Sequence, residues 1–448
     1  MKKQKINLFR GVFILIISVF ILSACKTNND WPKFRGPDDN MITVNEMLPT
    51  SWNDSLNIKW THPLEGESWS SPIVSGDKVF YSTAVLVKKA PEKPISEDPA
   101  QQEADKNSLP EDIYRLQLCC LDIKTGNELW NVTSYEGTPR IKKHARSTYT
   151  CETPVSDGKH VWVYYGMHGV YCYDMEGNLA WKQDPGVYPT ANGWGTGSSP
   201  VLYNNTLYVL VDNEENSFLV AYNAQTGEEK WKVNRDEKTT YSTPVIWENT
   251  ARTELVTLGS KARSYNPDTG ELLWELEFNK GRAAASPVYD KEKIYIGLSG
   301  GPRDIGPIHA VKAGASGTLT PAYENGNEFV AWSDTLAGLG YPSPVLYNGL
   351  LYIVSDRGGE VSCFDANTGE RLYKEKAGKA ATCWASPWIA NDRLYFSDEK
   401  GVTQIVQTGT EFKALGSNTL DDKFWASVAV AGNDYIFKGV DKIYCIGN

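Results

Sequence analysis

The chain has 448 residues and a formal net charge of −10. Such a surface repels polyanions, and no basic cluster with interleaved aromatics occurs, which argues against a nucleic-acid partner. The length exceeds the ~250–300 residues at which a single core stops growing, so a repeat is the first thing to seek; 24 Tyr, 15 Trp, 38 Gly and 23 Pro favour strands and turns.

Residues 1–24 read as a leader. Lys2, Lys3, Lys5 and Arg10 form a basic start, and residues 11–22 are apolar apart from Ser18, a run of about a dozen, short of the ~20 that span a bilayer. Leu22-Ser23-Ala24-Cys25 resembles a lipobox. The resemblance implies a lipoprotein signal peptide and a mature N-terminus at Cys25, acylated through its sulfur; an ordinary signal peptide before a chance cysteine is the alternative. The polar residues 25–30 are expected to be a flexible tether. Residues 31–448 then form a single domain, and no later segment is apolar enough to span a membrane.

Eight stretches of that domain follow one template. An apolar strand follows Ser/Thr-Pro, a turn leads to a strand rich in Val, Ile and Tyr, a third strand ends before Asp/Asn-x-x-Thr-Gly, and a fourth ends in an aromatic residue. The closing aromatics are Trp130, Trp181, Trp231, Trp274, Trp332 and Tyr373. The seventh copy weakens near Leu415, and the eighth stops after its third strand. Asn57-Ile58-Lys59-Trp60 reads as the missing fourth strand, supplied from the N-terminal side. This predicts an all-β, eight-bladed β-propeller of four-stranded antiparallel blades, closed by an N-terminal outer strand that removes the last open edge. Residues 88–112, polar and charged, form an insertion in blade 1 that is expected to be mobile.

These units resemble the tryptophan-docking repeats of the pyrroloquinoline-quinone-like (PQQ-like) propellers, in which the Trp of one blade stacks over the backbone of the next. The resemblance assigns that role to Trp60, Trp130, Trp181, Trp231, Trp274 and Trp332, with Tyr373 as a departure. Trp31-Pro32-Lys33-Phe34-Arg35-Gly36-Pro37 resembles the start of a group of propeller lipoproteins that are commonly likened to the propeller lipoprotein of outer-membrane β-barrel assembly.

Of the 8 cysteines, Cys120, Cys172, Cys363 and Cys445 occupy one repeat position, filled elsewhere by Ala221, Ser264 and Ala310. That position calls for a small buried side chain, so free thiols are expected. Cys119 and Cys120 lie within a predicted strand, where neighbours point to opposite faces. His62, His144, His160, His168 and His309 show no metal-ligand spacing, and no Cys-x-x-Cys-His, Gly-x-Ser-x-Gly or His-Glu-x-x-His occurs. Residues 193–197 form a Gly-rich run, but it leads into a strand and not a helix, so it lacks a phosphate site.

The docking repeats are architecture, and they do not name a function. Two readings follow. One is a non-catalytic binding or protein-interaction scaffold, lipid-anchored to a bacterial membrane on the periplasmic or outer-membrane side, taking an envelope protein or small ligand at the central funnel. The other is a quinone-dependent dehydrogenase or another enzyme using that funnel. PQQ with calcium needs a set of cations and carboxylates that cannot be assigned on this chain residue by residue, so no cofactor and no metal are expected. Three residues before the proline that opens each blade, or its Val428 counterpart, stand Trp69, Tyr241, Tyr341, Trp384 and Trp425, with Trp194 and Tyr149 near the same end. Arg146, Glu152 and Arg282 approach on the same side. Loops after the second strands add Asp212, Glu214, Glu215, Arg303, Asp304, Asp356, Arg357 and Asp398. Together these define a candidate ligand or partner face; alternatively the aromatics wedge between inner strands as core and the charges are merely solvated.

Overall fold

The computed structural model describes residues 30–91, 109–278, 281–300, 306–323 and 326–448. The leader and Cys25, most of the 88–112 insertion, and Arg303 and Asp304 therefore lie outside the described residues. Eight antiparallel sheets follow one another along the chain, six of four strands and two of five. Blade 1 comprises Ile73–Ser75, Lys78–Lys88, Ile113–Asp122 and Glu128–Gly137. Blades 2 to 7 span residues 155–183, 201–235, 245–277, 288–339, 345–376 and 388–419. Blade 8 spans 429–446 and is completed by Ile58–Pro63, which pairs with Lys442–Ile446 and sets Trp60 opposite Cys445. The eight-bladed fold and its closing strand are thus as the repeat predicts.

The Ser/Thr-Pro signature has a structural cause. The Ser or Thr amide of each blade donates to the hydroxyl of its counterpart in the next, from Ser71 to Thr153, Ser199, Thr243, Ser286, Ser343, Ser386 and Ser427 in turn. The Ser427 amide returns to the Ser71 hydroxyl, closing a belt of bonds of 2.9–3.1 Å. These amides lie just before the first strand of each blade, outside the ladders, and take a side-chain acceptor instead. Proline is tolerated beside them because an edge strand does not need its missing donor.

Outside the belt, tryptophans clamp blade to blade. The indoles of Trp60, Trp130, Trp181, Trp231 and Trp332 donate to Ile123, Met175, Ala224, Pro267 and Ala366 carbonyls of the following blade at 2.8–3.1 Å. Each ring lies over the glycine of that blade's turn. A Cβ on Gly126, Gly177, Gly227, Gly270 or Gly369 would come within 2.4–3.0 Å of it, and each of these glycines has a positive φ. The Thr-Gly step is thus fixed twice, by conformation and by the ring above it. Opposite the closing aromatics, across the strand pair, sit Cys120, Cys172, Ala221, Ala310, Cys363 and Cys445. All the described cysteines are free thiols, and all but Cys151 are buried.

Trp274 does not dock on the next blade, contrary to the assignment that the repeat suggests. Its indole turns onto the buried Glu254 carboxylate of its own blade at 2.7 Å, which the Ser264 hydroxyl also meets at 2.6 Å. Blade 5 has Lys312-Ala313-Gly314 in place of the Asp-x-x-Thr-Gly turn, and a Cβ on Gly314 would meet no tryptophan. An added strand from blade 5, Gly317–Leu319, instead pairs in parallel with Leu272–Glu277 over that edge. Tyr373 packs edge-on against Phe412 with ring centroids 5.6 Å apart.

The N-terminal segment seals the face opposite the mouth. Trp31 pairs with Val74, Pro32 accepts the Ser156 amide, and Ile42–Thr43 adds a parallel strand to Trp388–Ala390. Between them Arg35 is buried, and its guanidinium donates to the Pro287 and Pro344 carbonyls of blades 5 and 6, both at 2.7 Å. Gly36, at φ 80°, lies against the Trp31 ring, where a Cβ would come within 2.8 Å. The Trp31 to Pro37 motif is therefore a plug of the central channel.

Candidate functional site at the channel mouth

The mouth opens at the other face, where the chain approaches each first strand and leaves each second strand. A cleft of about 440 Å³ lies there, lined by Arg146, Trp194, Tyr241, Arg282, Ala284, Tyr341, Asp356, Arg357, Thr382 and Trp384. Its volume falls in the range of small-ligand sites. Eight of these ten were singled out by the sequence pattern; Ala284 and Thr382 carry no signal of their own.

The aromatics form an arc. Trp69 and Trp425 stack at 4.3 Å between centroids and 12°, Trp425 and Trp384 at 4.9 Å and 8°, and Trp384 and Tyr341 at 5.3 Å and 26°. These offset-parallel contacts give the rings mutual packing, yet all four stay partly exposed. They are at once wall and wedge. The Arg146 guanidinium lies over Trp384, 5.5 Å from its centroid. Arg146 is presented by a loop fixed against blade 3: His144 stacks on Trp194 at 3.8 Å, and the Ser147 hydroxyl donates to the Trp194 carbonyl at 2.8 Å.

Tyr149 and Glu152 lie beside the cleft, not in it. They line a small recess of about 10 Å³ with Thr196, Tyr165, His168, Lys142 and Lys143 among its walls. Burial pushes the Glu152 carboxyl up from 4.5 to about 7, against the opposing pull of the Thr196 hydroxyl that donates to it. Burial also lowers His168 to about 4. In blade 8, Lys438 is buried, its ammonium donates to the Ser68 carbonyl at 2.8 Å, and burial lowers it to about 7.

Several charges expected at the mouth are held by the fold. Asp212 pairs with Arg235 at 2.9 Å, both side chains fully buried. Glu214 accepts the Thr239 hydroxyl at 2.6 Å, and Asp398 accepts the amides of Ala381, Lys400 and Val402. Among the described residues no group of three or more His, Cys, Asp or Glu side chains could hold a metal ion. Cys119 and Cys120 are buried within a blade 1 strand.

The repeat geometry defines a propeller of the PQQ-repeat class. The chain belongs to the family of outer membrane protein assembly factor BamB, whose family model matches residues 115–374. Among solved structures it is similar to quinohemoprotein alcohol dehydrogenase from Comamonas testosteroni, with a TM-score of 0.58 at 11% identity, covering 94% of this chain and 80% of that one. A europium-containing methanol dehydrogenase gives a TM-score of 0.50 at 13% identity, covering 93% and 91%. BamB from Moraxella catarrhalis gives 0.39 at 15% identity, covering 66% and 94%. At these identities the likeness to solved structures is one of fold. No curated protein matches. Among the described residues no helix is long and apolar enough to cross a membrane.

Proposed function

We propose that this chain is a lipid-anchored binding propeller of the bacterial cell envelope, a non-catalytic scaffold that presents its channel mouth to a partner protein. Residues 1–24 are its lipoprotein signal, Cys25 its acylated residue, and 31–448 its single domain. The observation that carries this reading is the cleft: aromatic walls and convergent guanidinium groups around about 440 Å³. The family match supports an envelope role.

The anchor would also set the orientation. The Asp30 carboxylate accepts the Gly76 amide at 2.6 Å, on the turn between the first two strands of blade 1. That turn lies on the plugged face. Five residues reach at most ~17 Å, so a lipid on Cys25 holds the plugged face toward the membrane and turns the mouth away from it. Cys25→Ser is expected to abolish lipid labelling and leave the precursor unprocessed; unchanged acylation would remove the anchor from the proposal.

Capture from the native envelope tests the scaffold itself. The doubly substituted Tyr341→Ala/Trp384→Ala chain is expected to lose a partner that the unaltered protein recovers, with a melting temperature lowered only slightly, because both rings are partly exposed. A variant that unfolds outright, at the ~3–5 kcal/mol of a fully buried aromatic, would make the arc a structural wedge alone. Recovery of an absorbing small molecule in place of a protein would favour the cofactor-dependent reading.

A further inference from the structure

The aromatic arc has a gap at blade 5. Three residues before the opening proline, blade 4 carries Tyr241 and blade 6 carries Tyr341, but blade 5 carries Ala284. From Tyr341 onward the rings of successive blades stack at 4.3–5.3 Å; at Ala284 the series stops. Tyr241 is fixed beside the gap, its amide donating to the Ala283 carbonyl at 2.7 Å. Tyr241, Ala284 and Tyr341 all line the cleft, so the open volume stands where the absent ring would be.

We propose that this gap is a slot for one aromatic side chain of a partner segment, flanked in that segment by carboxylates. The ring would continue the stack between Tyr241 and Tyr341, at the spacing aromatic pairs prefer. The carboxylates follow from the charge around the slot. Arg282, two residues before Ala284, and Arg146, over Trp384, are exposed, and Arg357 stands on the same wall beside Asp356, the one carboxylate of the lining, while the Glu399 carboxylate is taken up by the Trp384 indole at 3.0 Å. This local excess of positive charge sits on a chain of net charge −10 and selects an anionic partner. The guanidinium groups come from blades 2, 5 and 6 and spread across the mouth, which suits acidic residues on both sides of an aromatic anchor better than one compact small molecule. The inference rests on the binding-scaffold reading above and names the chemistry that this site recognises.

The test uses the full mature chain and a fluorescein-labelled decapeptide with one Trp between Asp and Glu residues, followed by anisotropy. The unaltered chain is expected to bind it, and to bind peptides with Trp→Ala or acid→Lys changes at least tenfold more weakly. Ala284→Trp supplies the missing ring from within and is expected to weaken binding at least tenfold while the melting temperature holds. Arg282→Glu, at an exposed position, gives the same loss without any change in packing. Full binding by both variants, no binding by the unaltered chain, or competition by free indole-3-acetate as strong as by the peptide would each overturn the slot. If Ala284→Trp still captures the same envelope protein as the unaltered chain, the slot falls and the scaffold reading stands. If the Tyr341/Trp384 double variant also retains that capture, the mouth is not the binding face.

Discussion

Arg35→Ala is expected to lower unfolding free energy by about 3–5 kcal/mol. The guanidinium joins blade 5 to blade 6 through two buried carbonyls, each at 2.7 Å. Truncation strands both acceptors away from water, and an orphaned buried acceptor costs about 1–3 kcal/mol. Loss of the aliphatic stem adds a cavity. Part of this is returned, because burial lowers the Arg35 guanidinium to about 10, which marks a charge held at some expense. Arg35→Met separates the contributions: it keeps most of the stem and removes only the donors. Denaturant titration should place Met between the unaltered chain and Ala. A Met variant as stable as the unaltered chain would show that the two bonds add nothing net.

Glu152→Gln is expected to stabilise the protein at alkaline pH and leave it unchanged in acid. The Glu152 carboxyl rises from 4.5 to about 7 on burial, so the folded chain holds its proton more tightly than the unfolded chain. Below about pH 4.5 both states are protonated and nothing is lost. Between there and about pH 7 only the unfolded chain releases the proton, so stability falls with rising pH, by about 3 kcal/mol in all. Glutamine keeps an acceptor for the Thr196 hydroxyl and has no proton to lose. Lys438 has the opposite sign: burial lowers it from 10.5 to about 7, so its charged form opposes folding below about pH 7 and that penalty fades toward pH 10.5. Lys438→Met should therefore flatten the alkaline limb, and Glu152→Gln the acid-to-neutral limb. Unfolding free energies measured from pH 4 to pH 10 distinguish the two. A Glu152→Gln profile parallel to the unaltered one would show that this carboxyl does not titrate in the folded state as its burial implies.

The blade count is legible in the sequence because Ser/Thr-Pro recurs in seven blades and Ser427-Val428 takes its place in the eighth. The reason for that recurrence is not, since the belt exists only when Ser427 meets Ser71 across the closed ring. The docking tryptophans are legible where the following blade supplies a glycine turn. Trp274 departs because its indole is set by Glu254, a buried carboxylate that no local pattern marks. At the mouth the aromatics announce themselves by a shared offset from proline, and the cleft gathers most of them. Asp212 and Asp398 read as mouth charges because a sequence does not show whether a carboxylate is already satisfied. Ala284 is the reverse case: alanine is silent, and its meaning comes from the rings on either side.

The plug and the closing strand also fix the order in which the molecule can be completed. Arg35 meets acceptors 252 and 309 residues further along the chain, and Trp60 lies opposite Cys445 of the last blade. This early segment is therefore fully seated only once the late blades are in place. Until the final blade emerges, blade 8 lacks its outer strand and the channel has no floor. Contacts of such separation in sequence slow folding and prolong exposure of unpaired edges. A chain halted by a few dozen residues is then not a slightly smaller propeller but an open one, with a free edge at each end of the arc and the early segment unplaced. Synthesis and quality control of this protein must therefore tolerate a long interval in which nearly every blade exists and the ring is still open.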